Sequence, residues 1–140
     1  QGMMIEDFGF RFSQGRVVEV TASKGKELLQ NLIANVAGAS QLGEVALVPN
    51  SSPVSQSGIL FYNALIDENA ASHIALGAAL KFTLRGGETM SSEEFAAAGG
   101  NESLEHVDFM VGSDRMAVDG ILPDGATEPI MRGGEWSFTA

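Results

Sequence analysis

His106-Val107-Asp108-Phe109-Met110-Val111 decides how the C-terminal half of this chain is read. Its opening alternation of polar and apolar residues predicts a strand, with His106 and Asp108 on one face and Val107 and Phe109 on the other. Three further short extended pieces follow at 116–118, 128–131 and 136–138. Gly112-Ser113, Asp119-Gly120, Asp124-Gly125 and Gly133-Gly134 punctuate them. Short strands separated by such turn formers predict an antiparallel meander. An imidazole and a carboxylate two residues apart on one strand face are also a compact way to hold a divalent metal.

Upstream, 85–105 is rich in glycine and polar residues, with one amphipathic piece around 92–98, and predicts a loop or lid. Residues 67–79, with Ala70, Ala71, Ala75, Gly77, Ala78 and Ala79, predict a small-residue helix that packs closely against a neighbour. Residues 81–84 and 59–62 predict short strands, and 50–57 a serine-rich loop. Residues 43–48 predict a buried strand, since Val45 to Val48 are all apolar and Pro49 ends the run. At the N-terminus, 5–12 and 16–20 predict two strands joined at Gln14-Gly15, with Phe8, Phe10 and Phe12 on one side. A helix follows to about residue 36, capped by Ser23, with Leu28, Leu29, Leu32, Ile33 and Val36 as its apolar stripe. The fold class is α+β: short antiparallel strands in a meander with two main helices. Residues 1–2 look like a tag remnant, and 3–140 like one domain.

The 140 residues suffice for a real core. Eight Lys and Arg face 18 Asp and Glu, a net charge of −10 with no basic stripe, which argues against a nucleic-acid partner. The absence of cysteine excludes disulfides, thiolate zinc sites and a cysteine nucleophile. No apolar run reaches membrane-spanning length, so no membrane partner is expected. Asn50-Ser51-Ser52 and Asn101-Glu102-Ser103 match the glycosylation pattern, but nothing else suggests secretion.

Ligand chemistry concentrates at Glu44, at Asp67-Glu68, at His73, and at His106 with Asp108. Carboxylates with neutral imidazoles suit Zn²⁺, Co²⁺ or Mn²⁺, and two such ions can share a carboxylate. On a helix, Glu68 and His73 would lie about 140° apart, so Glu68 must sit at or before its first turn, with Asp67 as N-cap. Ordinary roles suit the same residues: Glu68 stabilising a helix start, His73 as a packed histidine, Glu44 as a polar strand end.

Longer phrases carry more than these spacings. They are Leu42-Gly43-Glu44-Val45-Ala46-Leu47-Val48-Pro49, Ser57-Gly58-Ile59-Leu60-Phe61-Tyr62-Asn63, and the run from Asp67 to Gly77. His106 to Ser113, Val118-Asp119-Gly120 and Gly134-Glu135-Trp136 complete the set. In order and together, these resemble the bacterial metallo-aminopeptidases of the aminopeptidase T and aminopeptidase S type, over nearly the whole chain.

The resemblance implies a cytoplasmic, usually dimeric exopeptidase that uses two divalent metal ions (Zn, Co, Mn or Mg) to remove N-terminal residues from peptides. It carries metal ligation over to Glu44, Glu68, His73, His106 and Asp108. Glu44 resembles the bridging ligand, and Glu68 is either a ligand or the catalytic carboxylate. Two departures stand out. The family's earliest metal-binding glutamate lies in an upstream Gly-Glu-Val-type segment, so the chain resembles a C-terminal third without its N-terminal domain. The tyrosine often found seven residues after the histidine is Leu80 here. A structural or dimerisation domain without activity of its own is the alternative. A phosphoesterase fits poorly with the lack of clustered Lys and Arg.

Overall fold

The structure is a computed structural model that describes residues 5–138; the expected tag remnant at 1–2 lies outside the described residues. The chain forms two compact units, one of residues 5–44 with Ala75–Val107, the other of Val45–Ile74 with 108–138.

In the first unit, β1 (Gly9–Ser13) and β2 (Arg16–Thr21) pair antiparallel. Gln14 and Gly15 both take positive φ (48° and 77°), the backbone that a two-residue hairpin loop demands. Phe8, Phe10 and Phe12 stack along one side, with ring centroids 5.7 and 6.2 Å apart. Helix α1 (Lys26–Asn35) follows and buries Leu29 from its apolar stripe. Its N-cap is Gly25 rather than Ser23, whose hydroxyl instead donates to the Glu6 carbonyl (3.0 Å) and to Asp7 (2.8 Å).

Strand β3 (Leu42–Ala46) begins where expected but is not buried: it is an edge strand, and Val45 is 67% exposed. Helix α2 (Pro53–Ser57) is capped by the Ser52 hydroxyl. Residues 59–62 form no strand. They run as an open loop into α3 (Ala64–Asp67), and the Asp67 carboxylate accepts from the Phe61 and Asn63 amides at 2.8 and 2.9 Å. Asp67 therefore fastens this loop from the end of a helix instead of capping the start of one.

The main correction concerns 67–79. After α3 comes a single 3₁₀ turn, Glu68–Ala70, and then strand β4 (His73–Gly77), so His73 stands on a strand and not on a helix. Strand β4 is the middle of three, in the order β3-β4-β5, with β5 being His106–Met110. Consecutive Ala75, Leu76 and Gly77 are all buried, so the strand is covered on both faces and lacks a period-two signal. Its alanines favour a helix in isolation, but pairing on both edges overrides that weak preference.

The direction of pairing follows from hydrogen bonds at the strand ends. Gly77 N–H donates to the Gln41 carbonyl (2.9 Å), while Ser72 meets Val48, so β4 runs antiparallel to β3. Ala78 N–H donates to the Glu105 carbonyl (2.7 Å) and Val111 N–H to the Ser72 carbonyl (3.0 Å), so β5 is antiparallel as well. A Cβ on Gly77 would fall on the Glu105 carbonyl, and its φ of 104° turns the chain sharply out of the strand.

Residues 81–84 expected as a strand instead include a 3₁₀ turn, Lys81–Thr83. The amphipathic piece in the 85–105 stretch is α4 (Ser92–Ala97), held by a Ser91–Glu94 capping box. It buries Phe95, with the Lys81 ammonium 5.5 Å from the ring centre. In the second unit, β6 (Val118–Ile121), β7 (Thr127–Arg132) and β8 (Glu135–Trp136) form an antiparallel meander around the fully buried Met131, but the strand from His106 expected at its head is β5 of the other sheet, and Asp119-Gly120, expected as a turn, lies within β6. Mixed helices and small antiparallel sheets make the fold α+β, as expected.

Candidate metal centre

Each strand of the β3-β4-β5 sheet carries part of the ligand chemistry. Glu44 sits mid-way along β3, His73 opens β4, and β5 supplies His106 and Asp108 on one face. Glu44, His73 and Asp108 each offer one ligand atom, all within 4.8 Å of one another. The Nε2 atom of His106 lies 3.2 Å from Oε2 of Glu44. Glu44 therefore belongs to two groupings, one with His73 and Asp108, the other with His106.

The sequence of β4 explains how Glu44 reaches His106. The outer strands of a three-stranded sheet lie about 9.6 Å apart, twice the usual strand spacing. Two side chains span that gap only if the middle strand leaves room. On the face that carries His73, β4 presents Ala75 and Gly77, the two smallest side chains available. Ala75 is completely buried, while the Glu44 and His106 side chains remain about a quarter exposed, 26% each.

Both imidazoles are oriented by backbone carbonyls. His73 Nδ1 lies 3.0 Å from the Ala71 carbonyl, and His106 Nδ1 lies 2.7 Å from the Ala78 carbonyl. A carbonyl only accepts, so each Nδ1 must be the donor and carry a proton. In the neutral ring, that puts the lone pair on Nε2, the tautomer in which metal-binding histidines are held. For His106 this lone pair faces a carboxylate oxygen. Such a pair repels unless a proton or a cation lies between the two atoms.

The donors present fit a divalent cation. Two oxygen-donor side chains and two imidazoles with their lone pairs on Nε2 suit zinc and its first-row neighbours. Ligands on adjacent vertices around one ion lie about 3.0–3.4 Å apart for bonds of about 2.1 Å. The Glu44–His106 separation of 3.2 Å already has that value. The chain thus holds a possible metal-binding triad with a fourth donor beside it.

Glu68 is placed differently. It is half-buried at the start of the 3₁₀ turn, five residues before His73, and is not among the three gathered donors. The helical geometry expected for Glu68 and His73 does not apply, because no helix joins them.

Sequence reasoning missed the groups that hold the histidines. The Ala71 and Ala78 carbonyls leave no trace in side-chain chemistry. Ser72 is fully buried, and its hydroxyl both accepts from Val48 N–H (3.0 Å) and donates to the Val48 carbonyl (3.1 Å). Its own carbonyl receives Val111 N–H and Gly112 N–H, at 3.0 and 2.8 Å. One small residue next to His73 thereby ties the ends of all three strands.

This α+β fold with its clustered donors defines a candidate metal-binding domain. Residues 1–136 match the family model described as thermophilic metalloprotease (M29), and the chain belongs to that family. Aminopeptidase AmpS of Bacillus subtilis is 53% identical over 137 residues, 98% of this chain and 33% of its own length. Aminopeptidase T of Thermus aquaticus is 50% identical over 135 residues, 96% of this chain and 33% of its own. The solved structure described as wild-type AmpT from Thermus thermophilus superposes with a TM-score of 0.86 at 49% identity, covering 98% of this chain and 33% of that one. The chain thus spans about a third of the length of the relatives it matches. Among the described residues, no helix is long and apolar enough to cross a membrane.

Proposed function

We propose that this chain is the metal-binding part of a cytoplasmic, dinuclear metallo-aminopeptidase that removes N-terminal residues from peptides. The observation that supports this most is the double use of Glu44: one carboxylate faces His106 and also belongs to the group with His73 and Asp108. A two-metal site needs such a bridging ligand. In this reading, Glu44 holds both ions, His73 and Asp108 hold one, and His106 holds the other. The ions are drawn from Zn, Co, Mn and Mg. When bound, the metals supply electrophilic activation of the scissile carbonyl and a nucleophile at neutral pH. Glu68 serves as a further ligand or, by preference, as the carboxylate that takes a proton and passes it to the leaving amine. A carboxylate that holds the free α-amino group of the substrate would restrict cleavage to the N-terminus.

The remainder of the protein, including an upstream glutamate ligand in an N-terminal domain, would complete the site. The whole enzyme would act as a homodimer. Titrating the chain with Zn²⁺ or Co²⁺ by calorimetry tests this reading. Binding is expected, with loss on Glu44→Ala, His73→Ala or Asp108→Ala. No binding to the chain, together with normal activity of the whole enzyme carrying His106→Ala, would sink it.

A second reading, a dimerisation or structural domain with no activity of its own, draws on the exposed apolar run around α3. Ile59, Leu60, Tyr62 and Leu65 are each more than half exposed (57%, 59%, 90% and 77%). Sedimentation decides its weight: self-association indifferent to His73 and His106 substitution would favour it.

A further inference from the structure

We propose that Asn101 is a positioning residue for His106, and that it acts by locking the Ala78 peptide group. The peptide planes on either side of Ala78 and the groups that hold them lie within the first compact unit. The carbonyl of Ala78 accepts from His106 Nδ1 (2.7 Å). The same peptide plane contains the N–H of Ala79, which donates to the Asn101 carbonyl (2.8 Å). The preceding plane contains the Gly77 carbonyl, which accepts from the Asn101 side-chain amide (2.6 Å), and the Ala78 N–H, which donates to the Glu105 carbonyl (2.7 Å). Asn101 thus grips both planes, one with its side chain and one with its backbone. The same amide group also donates to the Gly38 carbonyl (2.8 Å), which anchors the grip to the segment before β3.

The grip is needed because Gly77 is the least constrained residue of β4. Its φ of 104° lies where glycine alone is at ease, so the Gly77–Ala78 peptide plane, from which the Ala78 carbonyl is carried, is soft unless something fixes it. An asparagine amide, with two donors on one nitrogen, fixes it against two carbonyls at once. A carbonyl so aimed keeps the His106 proton on Nδ1 and the lone pair on Nε2, facing Glu44. This also accounts for the glycosylation-like pattern at Asn101: the amide is engaged within the fold, and the Ser103 hydroxyl donates to the Ala37 carbonyl (2.8 Å).

The consequence for metal binding rests on the functional reading above; the consequence for the histidine does not. The test is long-range ¹⁵N–¹H spectroscopy of both imidazoles in the chain with chelator present at pH 8, for the parent, Asn101→Ala, Asn101→Asp and Ser103→Ala. His106 is expected as the Nδ1–H tautomer in the parent and in Ser103→Ala. In both Asn101 variants it should shift toward Nε2–H, while His73, held by Ala71, stays as it was. Zn²⁺ affinity of those variants should fall roughly tenfold, the lower end for outer-shell groups.

An unchanged His106 tautomer would overturn the proposal. So would an equal change at His73 or in Ser103→Ala, which would mean general loosening. If neither Asn101 variant folds, the residue is structural and the proposal fails. A parent chain that binds no Zn²⁺ but shows the expected tautomers would sink the metal reading and leave the role of Asn101 standing.

Discussion

Glu44 is the residue on which both ligand groupings turn, so it is the most informative to change conservatively. Glu44→Gln keeps the shape and removes the charge. Zn²⁺ affinity is expected to fall at least about a hundredfold, more than for an outer-shell loss. Because the side chain is partly exposed, the metal-free stability should move by no more than about 0.5 kcal/mol. Calorimetry and urea unfolding of the same preparation check the two halves of that statement. Tyr62 offers a test unconnected with metal. It holds φ at 57° with its side chain 90% exposed, so it bears a backbone cost without a compensating burial. Tyr62→Gly is expected to raise stability by up to about 1 kcal/mol, measured by thermal melting. A clear loss would mean that the Tyr62 side chain does something in solution that its exposure hides.

At the scale of elements, β4 carries the argument. Ala75→Val would put branched bulk under the line between Glu44 and His106. It should cost about 1–3 kcal/mol in urea unfolding through overpacking, and weaken Zn²⁺ binding as well. Ser72→Ala removes the hydroxyl that both donates to and accepts from Val48, and should cost about 1–3 kcal/mol. Strand β4 is also where the sequence was hardest to read. The hairpin, α1, β5 and the C-terminal meander announce themselves by alternation, a helical stripe or glycine-marked turns, and β3 by an apolar run that Pro49 ends. Residues 73–77 do not, because a middle strand buried on both faces shows no alternation, and alanine favours helix when taken alone. The candidate donors Glu44, His73, His106 and Asp108 were nonetheless legible as residues. Their neighbours in longer phrases identified them, while the wrong element was assigned to His73. The carbonyls that aim the imidazoles were not legible at all, since any residue can supply one.

For the whole molecule, metal and stability should be linked. A ligand that binds only the folded chain adds about 2.7 kcal/mol at a hundred times its dissociation constant. Zn²⁺ should therefore raise the melting temperature of the parent chain, chelator should reverse it, and His73→Ala should abolish the shift. The net charge of −10 works in the same direction, since bound cations relieve part of the self-repulsion of an acidic chain. A melting temperature indifferent to Zn²⁺ would show that the four donors meet without binding.

The order β3-β4-β5 has a consequence for the life of the protein before it is finished. The three strands are separated by loops of roughly thirty residues each, so their closure costs chain entropy that only the completed sheet repays. Glu44 and His73 are made well before His106 and Asp108, so until β5 is added the chain gathers only half of the donor set. Loading has to wait until β5 has docked, which makes the appearance of the metal-bound state a timer for the end of folding rather than its beginning.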